Sequence, residues 1–245
     1  MPSPYPPIDP GPSAFDLDSV VDQPGDDLVA VGADLAPATL VAAYRRGIFP
    51  MGIGEGGTAP LGWWRPDTRG VLLPGGLHVS RSLRTSLRRY RVSVDRAFDA
   101  VVAGCADPAR PGSWITREIA AAYAELHRLG WAHSVEVWAG EPGEGELVGG
   151  LYGVSVGSLF AGESMFHRAR DASKVALVAL DALVLTPSRP NAVIDVQWQT
   201  AHLASLGVTE VSRPTYSRLV AGAVDDPPVD WRRAVADQAT QPPWR

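Results

Sequence analysis

Leu147-Val-Gly-Gly-Leu-Tyr-Gly-Val154, Leu159-Phe-Ala-Gly-Glu-Ser-Met-Phe166, Asp171-Ala-Ser-Lys-Val-Ala-Leu-Val-Ala-Leu-Asp-Ala-Leu-Val184 and Ala192-Val-Ile-Asp-Val-Gln-Trp198 decide the fold. The first two segments are apolar and β-rich, and Ser155-Val-Gly-Ser158 between them suits a hairpin turn. The third has helical spacing, apolar side chains nearly all round and an Asp at its start. The fourth reads as a strand. A short helix closed by Gly207 and a strand near Val208–Ser212 follow it. A helix of about fourteen residues between two strands is a crossover, so it sets them parallel. Asp195 and Gln197 interrupt the fourth segment at spacing i, i+2, which in a strand sends both to one face. Burying a carboxylate and an amide is costly unless they are paired. These two residues mark the candidate chemical centre.

Outward from there, the chain is ordinary in bulk. Its 45% hydrophobic and 20% charged residues are those of a globular protein with a real core. A formal charge of -5 argues against a wholly basic nucleic-acid binder and leaves local patches open. The lone Cys105 excludes a disulfide framework or multi-cysteine metal site, and it reads as a small buried residue. Met1-Pro-Ser-Pro-Tyr-Pro-Pro7 lacks the pattern of a secretory leader, and no long apolar run suggests a membrane span. A cytoplasmic protein is expected. Its expected parts are a small N-terminal domain with a Pro-rich leader (residues 1–62), a catalytic domain (63–224) and a mobile tail (225–245).

Asp34 to Gly47 reads as one helix, with Pro37 in its first turn and Gly47 past its end. Seven arginines between Arg65 and Arg91 face one acid, Asp67. A helix beginning at Ser80 would space Arg81, Arg84, Arg88 and Arg89 every three or four residues. That stripe is either a solvated face or a phosphate-contacting one. Phe98–Gly104 and Thr116–Leu129 look helical, His133–Trp138 alternates as a strand, and a last helix follows Pro214.

Three motifs fail on context. Gly52-Ile-Gly-Glu-Gly-Gly57 spells a dinucleotide fingerprint but lacks the strand before it and the helix after it. Gly157 to Gly162 has P-loop spacing, yet Glu163 stands where lysine is needed. Gly153-Val-Ser-Val-Gly157 spells a nucleophile elbow, but a strand rather than a helix follows Ser155. His78, His127, His133, His167 and His202 show no paired ligand spacing, so no metal is expected.

The order hairpin, helix, strand, helix, strand is that of the α+β, GNAT-like acyltransferase fold, which usually carries acetyl-CoA. Its pyrophosphate turn is rich in glycine, whereas His167-Arg-Ala-Arg-Asp-Ala-Ser173 has none. A CoA-dependent acyltransferase is therefore disfavoured. It stands as an alternative beside a serine hydrolase using Ser155 and a non-catalytic binding module.

A set of collinear motifs narrows the choice. They are Gly32-Ala-Asp-Leu35, Tyr44-Arg-Arg-Gly-Ile-Phe-Pro50, Trp63-Trp-Arg-Pro-Asp67 and His78-Val-Ser-Arg-Ser82, then Ser113-Trp-Ile-Thr116 and His133-Ser-Val-Glu-Val-Trp138. Gly162-Glu-Ser-Met-Phe166, Ile194-Asp-Val-Gln197 and His202-Leu-Ala-Ser-Leu-Gly207 complete the set. Together they resemble the bacterial leucyl/phenylalanyl-tRNA–protein transferases over roughly residues 26–220.

The resemblance implies transfer of Leu or Phe, less well Met, from charged tRNA to an N-terminal Arg or Lys of an acceptor protein. The product would be marked for N-end-rule degradation. No cofactor is needed, because the ester is already activated. Asp195 and Gln197 would be the catalytic pair and Glu163 a negative partner for the incoming ammonium. Leu151, Phe160 and Ile194 would form the side-chain pocket. Tyr44 and Trp114 would lie at the tRNA 3′ end, with Met51 where the family commonly has Trp. Arg81, Arg84, Arg88 and Arg89 would hold phosphates. An amide does not titrate, so Gln197 would aim the amine's lone pair while Asp195 fixes the amide.

Overall fold

The computed structural model describes residues 3–20, 25–110, 112 and 114–233. Its first elements are β1 Leu28–Val31, α1 Pro37–Arg45, β2 Phe49–Gly52, β3 Leu61–Trp64 and β4 Thr68–Leu72. Then come α2 Arg81–Leu87, β5 Arg91–Val94, α3 Phe98–Cys105, α4 Arg117–Arg128 and β6 Ala132–Ala139. The last are β7 Glu146–Val156, β8 Leu159–His167, α5 Ala172–Val184, β9 Val193–Asp195, α6 Ala201–Ala204, β10 Thr209–Ser212 and α7 Arg213–Val224. The class is α+β. A three-stranded sheet, β1-β3-β2, accompanies a seven-stranded sheet, β10-β4-β9-β8-β7-β6-β5.

The deciding stretch builds the middle of the large sheet. β7 and β8 form an antiparallel hairpin whose turn is Gly157-Ser158, tighter than expected because Ser155 and Val156 still pair with Phe160 and Leu159. Gly157 sits at φ +59, and a Cβ there would come within 2.3 Å of the Ala223 carbonyl oxygen. α5 packs across β6, β7 and β8, with Val175, Ala176, Leu177, Ala179 and Leu180 buried. Each such aliphatic side chain larger than Ala contributes about 1.5–3 kcal/mol on leaving water. The crossover sets β9 parallel to β8.

β9 is shorter than its apolar run suggests. It ends at Asp195, because Gln197 turns into the left-handed region at φ 58. Val196 and Gln197 still bond the backbone of Gly70, at 2.9 Å each. The expectation that strand alternation puts Asp195 and Gln197 on one face is therefore corrected: Gln197 lies outside the strand.

The strands not foreseen from the sequence matter most to the site. β4 lies between β9 and β10 and carries Arg69. The expected domain boundary after Gly62 falls inside β3, whose Trp63 is buried. β6, expected to alternate, is buried on both faces. Its Glu136 accepts from the Ser93 and Ser134 hydroxyls and from the backbone N–H of Arg96 and Ala97 at the start of α3.

The leader and the first part of the tail both pack on the body. Residues 3–20 of the leader pack on the body, with Ile8 N–H donating to Leu129 O and Trp131 Nε1 donating to Ile8 O, both at 2.8 Å. The tail expected to be mobile from Asp225 is packed as far as Trp231, which stacks on His133 with ring centroids 4.3 Å apart and meets Phe160 at 5.5 Å. Residues 1–2, 21–24 and 234–245, and Ser113 of the sequence motif, lie outside the described residues. No helix among the described residues is long and apolar enough to cross a membrane.

Candidate active site

A cavity of about 310 Å³ opens between α5, β8 and β9. Its apolar wall is Leu151, Met165, Leu177, Leu180, Ile194, Val196 and Leu203. Glu163 and Gln197 supply its carboxylate and amide, and Met51, Trp114 and Trp198 also line it. Leu151, Ile194, Glu163, Gln197, Met51 and Trp114 thus line one cavity. Met165, Leu177, Leu180 and Leu203 were not foreseen, because helical and strand apolar residues look alike whether they face a core or a cavity.

Phe160 is a correction. It does not line the cavity but is fully buried against Trp231, on a strand whose neighbours Ala161 and Leu159 are also buried. Tyr44 is another. Only 1% exposed, its ring offers no face to a base, and its hydroxyl bonds that of Tyr123.

Asp195 does not line the cavity either. It is sealed in, with Arg69 Nε and Nη2 donating to its two oxygens at 2.8 and 2.7 Å and Tyr216 OH donating at 2.7 Å. Burial opposes the Arg69 charge, but Asp195 more than offsets it and the guanidinium is held still more firmly protonated. The guanidinium is also flanked by the rings of Phe49 and Tyr216, 4.7 and 4.6 Å away. Asp195 then accepts from the backbone N–H of Gln197 at 2.8 Å. Its hold is on the backbone at 197, where the sequence suggests a hold on the amide. The amide itself makes a long 3.4 Å contact, Nε2 donating to Glu163 Oε1.

Glu163 is buried deeply enough to change its chemistry. Burial pushes its carboxyl up to about 7, although Tyr44, Tyr123 and Arg69 pull the other way. Tyr123 OH donates to its Oε2 at 2.8 Å. Burial and the carboxylate raise Tyr123 and Tyr44 well above the usual phenol range, so both remain hydroxyl donors. A carboxyl balanced near neutrality is suited to take up and release one proton.

The failed motifs now have structural roles. The first follows strand β2 after all, but leads through a single 3₁₀ turn (Glu55–Gly57) into β3. Gly57, at φ +76, lies against the backbone of Trp114, where a Cβ would come within 2.1 Å of the carbonyl oxygen. That loop therefore fixes an aromatic that lines the cavity. Ser155 lies inside β7 opposite Phe160, with no strand-to-helix turn to expose it. The histidines are not all isolated: His133 bonds Asp95 at 2.7 Å and the Gly130 carbonyl at 3.1 Å, and His127 Nδ1 lies 3.8 Å from Asp95. Such a cluster assembles from the residue after β5, from α4 and from β6, and leaves no sequence spacing to detect.

The arginine cluster divides in two. Arg69 belongs to the buried centre. Arg81, Arg84, Arg88 and Arg89 are exposed on α2 and just past its end, the helix being capped by Ser80, which accepts from Leu83 N–H. Arg88 and Arg89 line a surface hollow of about 450 Å³ together with Arg170, Ser82 and Thr85.

The fold and the cavity define a class: an α+β protein with an apolar pocket that holds a carboxylate and an amide. Over residues 71–221 the chain matches the family described as leucyl/phenylalanyl-tRNA protein transferase, and over residues 33–67 that family's N-terminal domain. A leucyl/phenylalanyl-tRNA–protein transferase of Aromatoleum aromaticum is 50% identical over 83% of this chain and 84% of its own. One from Stutzerimonas stutzeri is 48% identical over 88% and 93%, and one from Anaeromyxobacter dehalogenans 48% over 82% and 85%. The chain belongs to the leucyl/phenylalanyl-tRNA protein transferase family and is an aminoacyltransferase.

Proposed function

We propose that this protein moves Leu or Phe, and Met less well, from charged tRNA to the N-terminal Arg or Lys of an acceptor protein, in the cytoplasm, marking it for N-end-rule degradation. The observation that carries this reading is the cavity. It joins an apolar wall to Glu163 and Gln197; in this reading an unbranched-β side chain fills the apolar part and the ester carbonyl comes to rest beside those two residues. The main sheet is read as a GNAT-like scaffold, residues 63–224, with residues 1–62 as a smaller companion domain.

In this reading the acceptor's α-amine, whose unperturbed pKa is about 7.7–8.0, attacks the ester carbon. The C–N bond forms, the bond from that carbon to the ribose oxygen breaks, and nitrogen loses a proton. Glu163, balanced near pH 7 by its burial, receives that proton and returns it to the departing ribose oxygen. The Gln197 carbonyl aims the amine, and holding reactants in line is itself worth a large part of the barrier. Asp195 is a positioning residue: through Arg69, Tyr216 and the 197 backbone it keeps a left-handed conformation that costs a non-glycine residue roughly 1–3 kcal/mol. Arg81, Arg84, Arg88 and Arg89 hold acceptor-arm phosphates, and Trp114 and Met51 flank the 3′ end.

The test is transfer of labelled Leu from Leu-tRNA to a peptide beginning with Arg, compared with one beginning with Ala. Product with the first alone supports the reading. Equal product with both, or none with either, sinks it.

A further inference from the structure

Trp198 has no part in the proton transfer or the aiming of the amine, yet it lies beside both. It keeps 39% of its surface exposed although two rings brace it nearly edge to face: Phe49 at 5.1 Å and 85°, Trp64 at 6.4 Å and 70°. Trp64 is fixed in turn by its Nε1–H bond to the Met51 carbonyl at 2.9 Å. The residue before Trp198 is Gln197, whose left-handed backbone lets the amide reach Glu163 while the next side chain stays exposed at the cavity. An indole held this firmly has already given up its rotamer freedom, so a flat ligand stacking on it forfeits little more.

We propose that Trp198 is the stacking platform for the terminal base of the aminoacyl-tRNA. The inference rests on the function proposed above. In that reading the aminoacyl side chain fills the apolar end and the ester lies at Gln197. The base is joined to that ester through a single ribose, so it must come to rest within one nucleotide of Gln197, and Trp198 is the next residue in the chain. Met51 lines the same cavity, but a thioether has no π-face to match a base. An acceptor's N-terminal cation lying over the indole is the rival, and the test separates the two.

The measurements are the Kd of an aminoacyl-adenosine carrying an amide in place of the ester, and the KM values for Leu-tRNA and for an Arg-peptide, in Trp198→Ala, Trp198→Phe and Met51→Ala. Trp198→Ala is expected to weaken the adenosine compound and raise the Leu-tRNA KM by about 5- to 150-fold, the range one base–aromatic stack spans. Trp198→Phe should recover most of that, Met51→Ala should do less damage, and the peptide KM should stay within about twofold in all three. Unchanged adenosine binding in Trp198→Ala, equal damage in Trp198→Phe, or a loss confined to the peptide KM overturns the proposal. The last would assign the indole to the acceptor's cation. If the unaltered protein transfers nothing from Leu-tRNA, the functional reading fails first and this inference falls with it.

Discussion

Arg69 and Asp195, 126 residues apart in the chain, meet in a two-point ion pair of 2.8 and 2.7 Å with neither side chain more than 1% exposed. The pair joins the second strand from the edge of the large sheet to the segment that presents Gln197. Removing one partner of such a pair strands the other charge in the interior, which costs about 3–5 kcal/mol. Arg69→Ala should therefore lower the unfolding free energy by an amount of that order, read as a lower urea midpoint. Arg69→Lys should lower it less, since it keeps the charge while giving up the second hydrogen bond and the stacking on Phe49 and Tyr216. Urea unfolding of the two variants checks the order.

Glu163 and Glu136 are both raised by burial to about 7, against about 4.3 in an unfolded chain. Between those values the native state binds more protons than the unfolded state, so stability must fall as pH rises through the window. Asp95 and Asp171 are shifted downward, and their contribution is lost only at lower pH. In Glu163→Gln the folded protein no longer gives up this free energy. The variant should gain on the unaltered protein as pH rises from about 4.5 to 7, by at most about 4 kcal/mol. Denaturant titrations at pH 5 and pH 8 measure it; a constant difference contradicts it.

Tyr123 donates to Glu163 and, in doing so, favours its ionised form. Tyr123→Phe removes that donor, so the Glu163 carboxyl should rise further above about 7. The acid limb of the kcat profile should move to higher pH, with the Leu-tRNA KM little changed. A profile that falls in height without moving would mean that Tyr123 only supports packing.

The exposed arginines on and just after α2 predict a different kind of defect. For every phosphate that an arginine no longer neutralises, the slope of log K against log salt should shrink by about 0.7–0.9. Arg81→Ala and Arg84→Ala should weaken charged-tRNA binding and flatten its salt dependence, while the rate within the saturated complex is preserved. Binding isotherms at several salt concentrations decide it.

The hairpin, the crossover helix and the arginine helix were legible because each is set by local pattern: alternation, a 3.6-residue period, a serine cap. So was the need of Asp195 and Gln197 for partners, since two polar residues in an apolar run are costly to bury alone. What those partners are was not legible. Arg69 sits among surface arginines in the sequence, and nothing local distinguishes the one that a strand carries inward. The left-handed turn at Gln197 likewise has no sequence mark, because glutamine there is sustained by the Asp195 hydrogen bond rather than by its own preference. Phe160 and Tyr44 were misplaced for a related reason: an apolar or aromatic residue one position away on a strand or helix faces another direction, and the periodicity around them does not say which side is hollow.

In the proposed reaction the rate depends on where the Gln197 amide is held. Gln197→Asn tests it most directly, because asparagine tolerates the left-handed backbone and keeps the amide but withdraws it by one methylene. Single-turnover transfer of Leu from saturating Leu-tRNA to an Arg-peptide should slow by about 10²-fold, with the Kd for Leu-tRNA unchanged. Transfer at the unaltered rate, or a defect residing wholly in Leu-tRNA affinity, would contradict it.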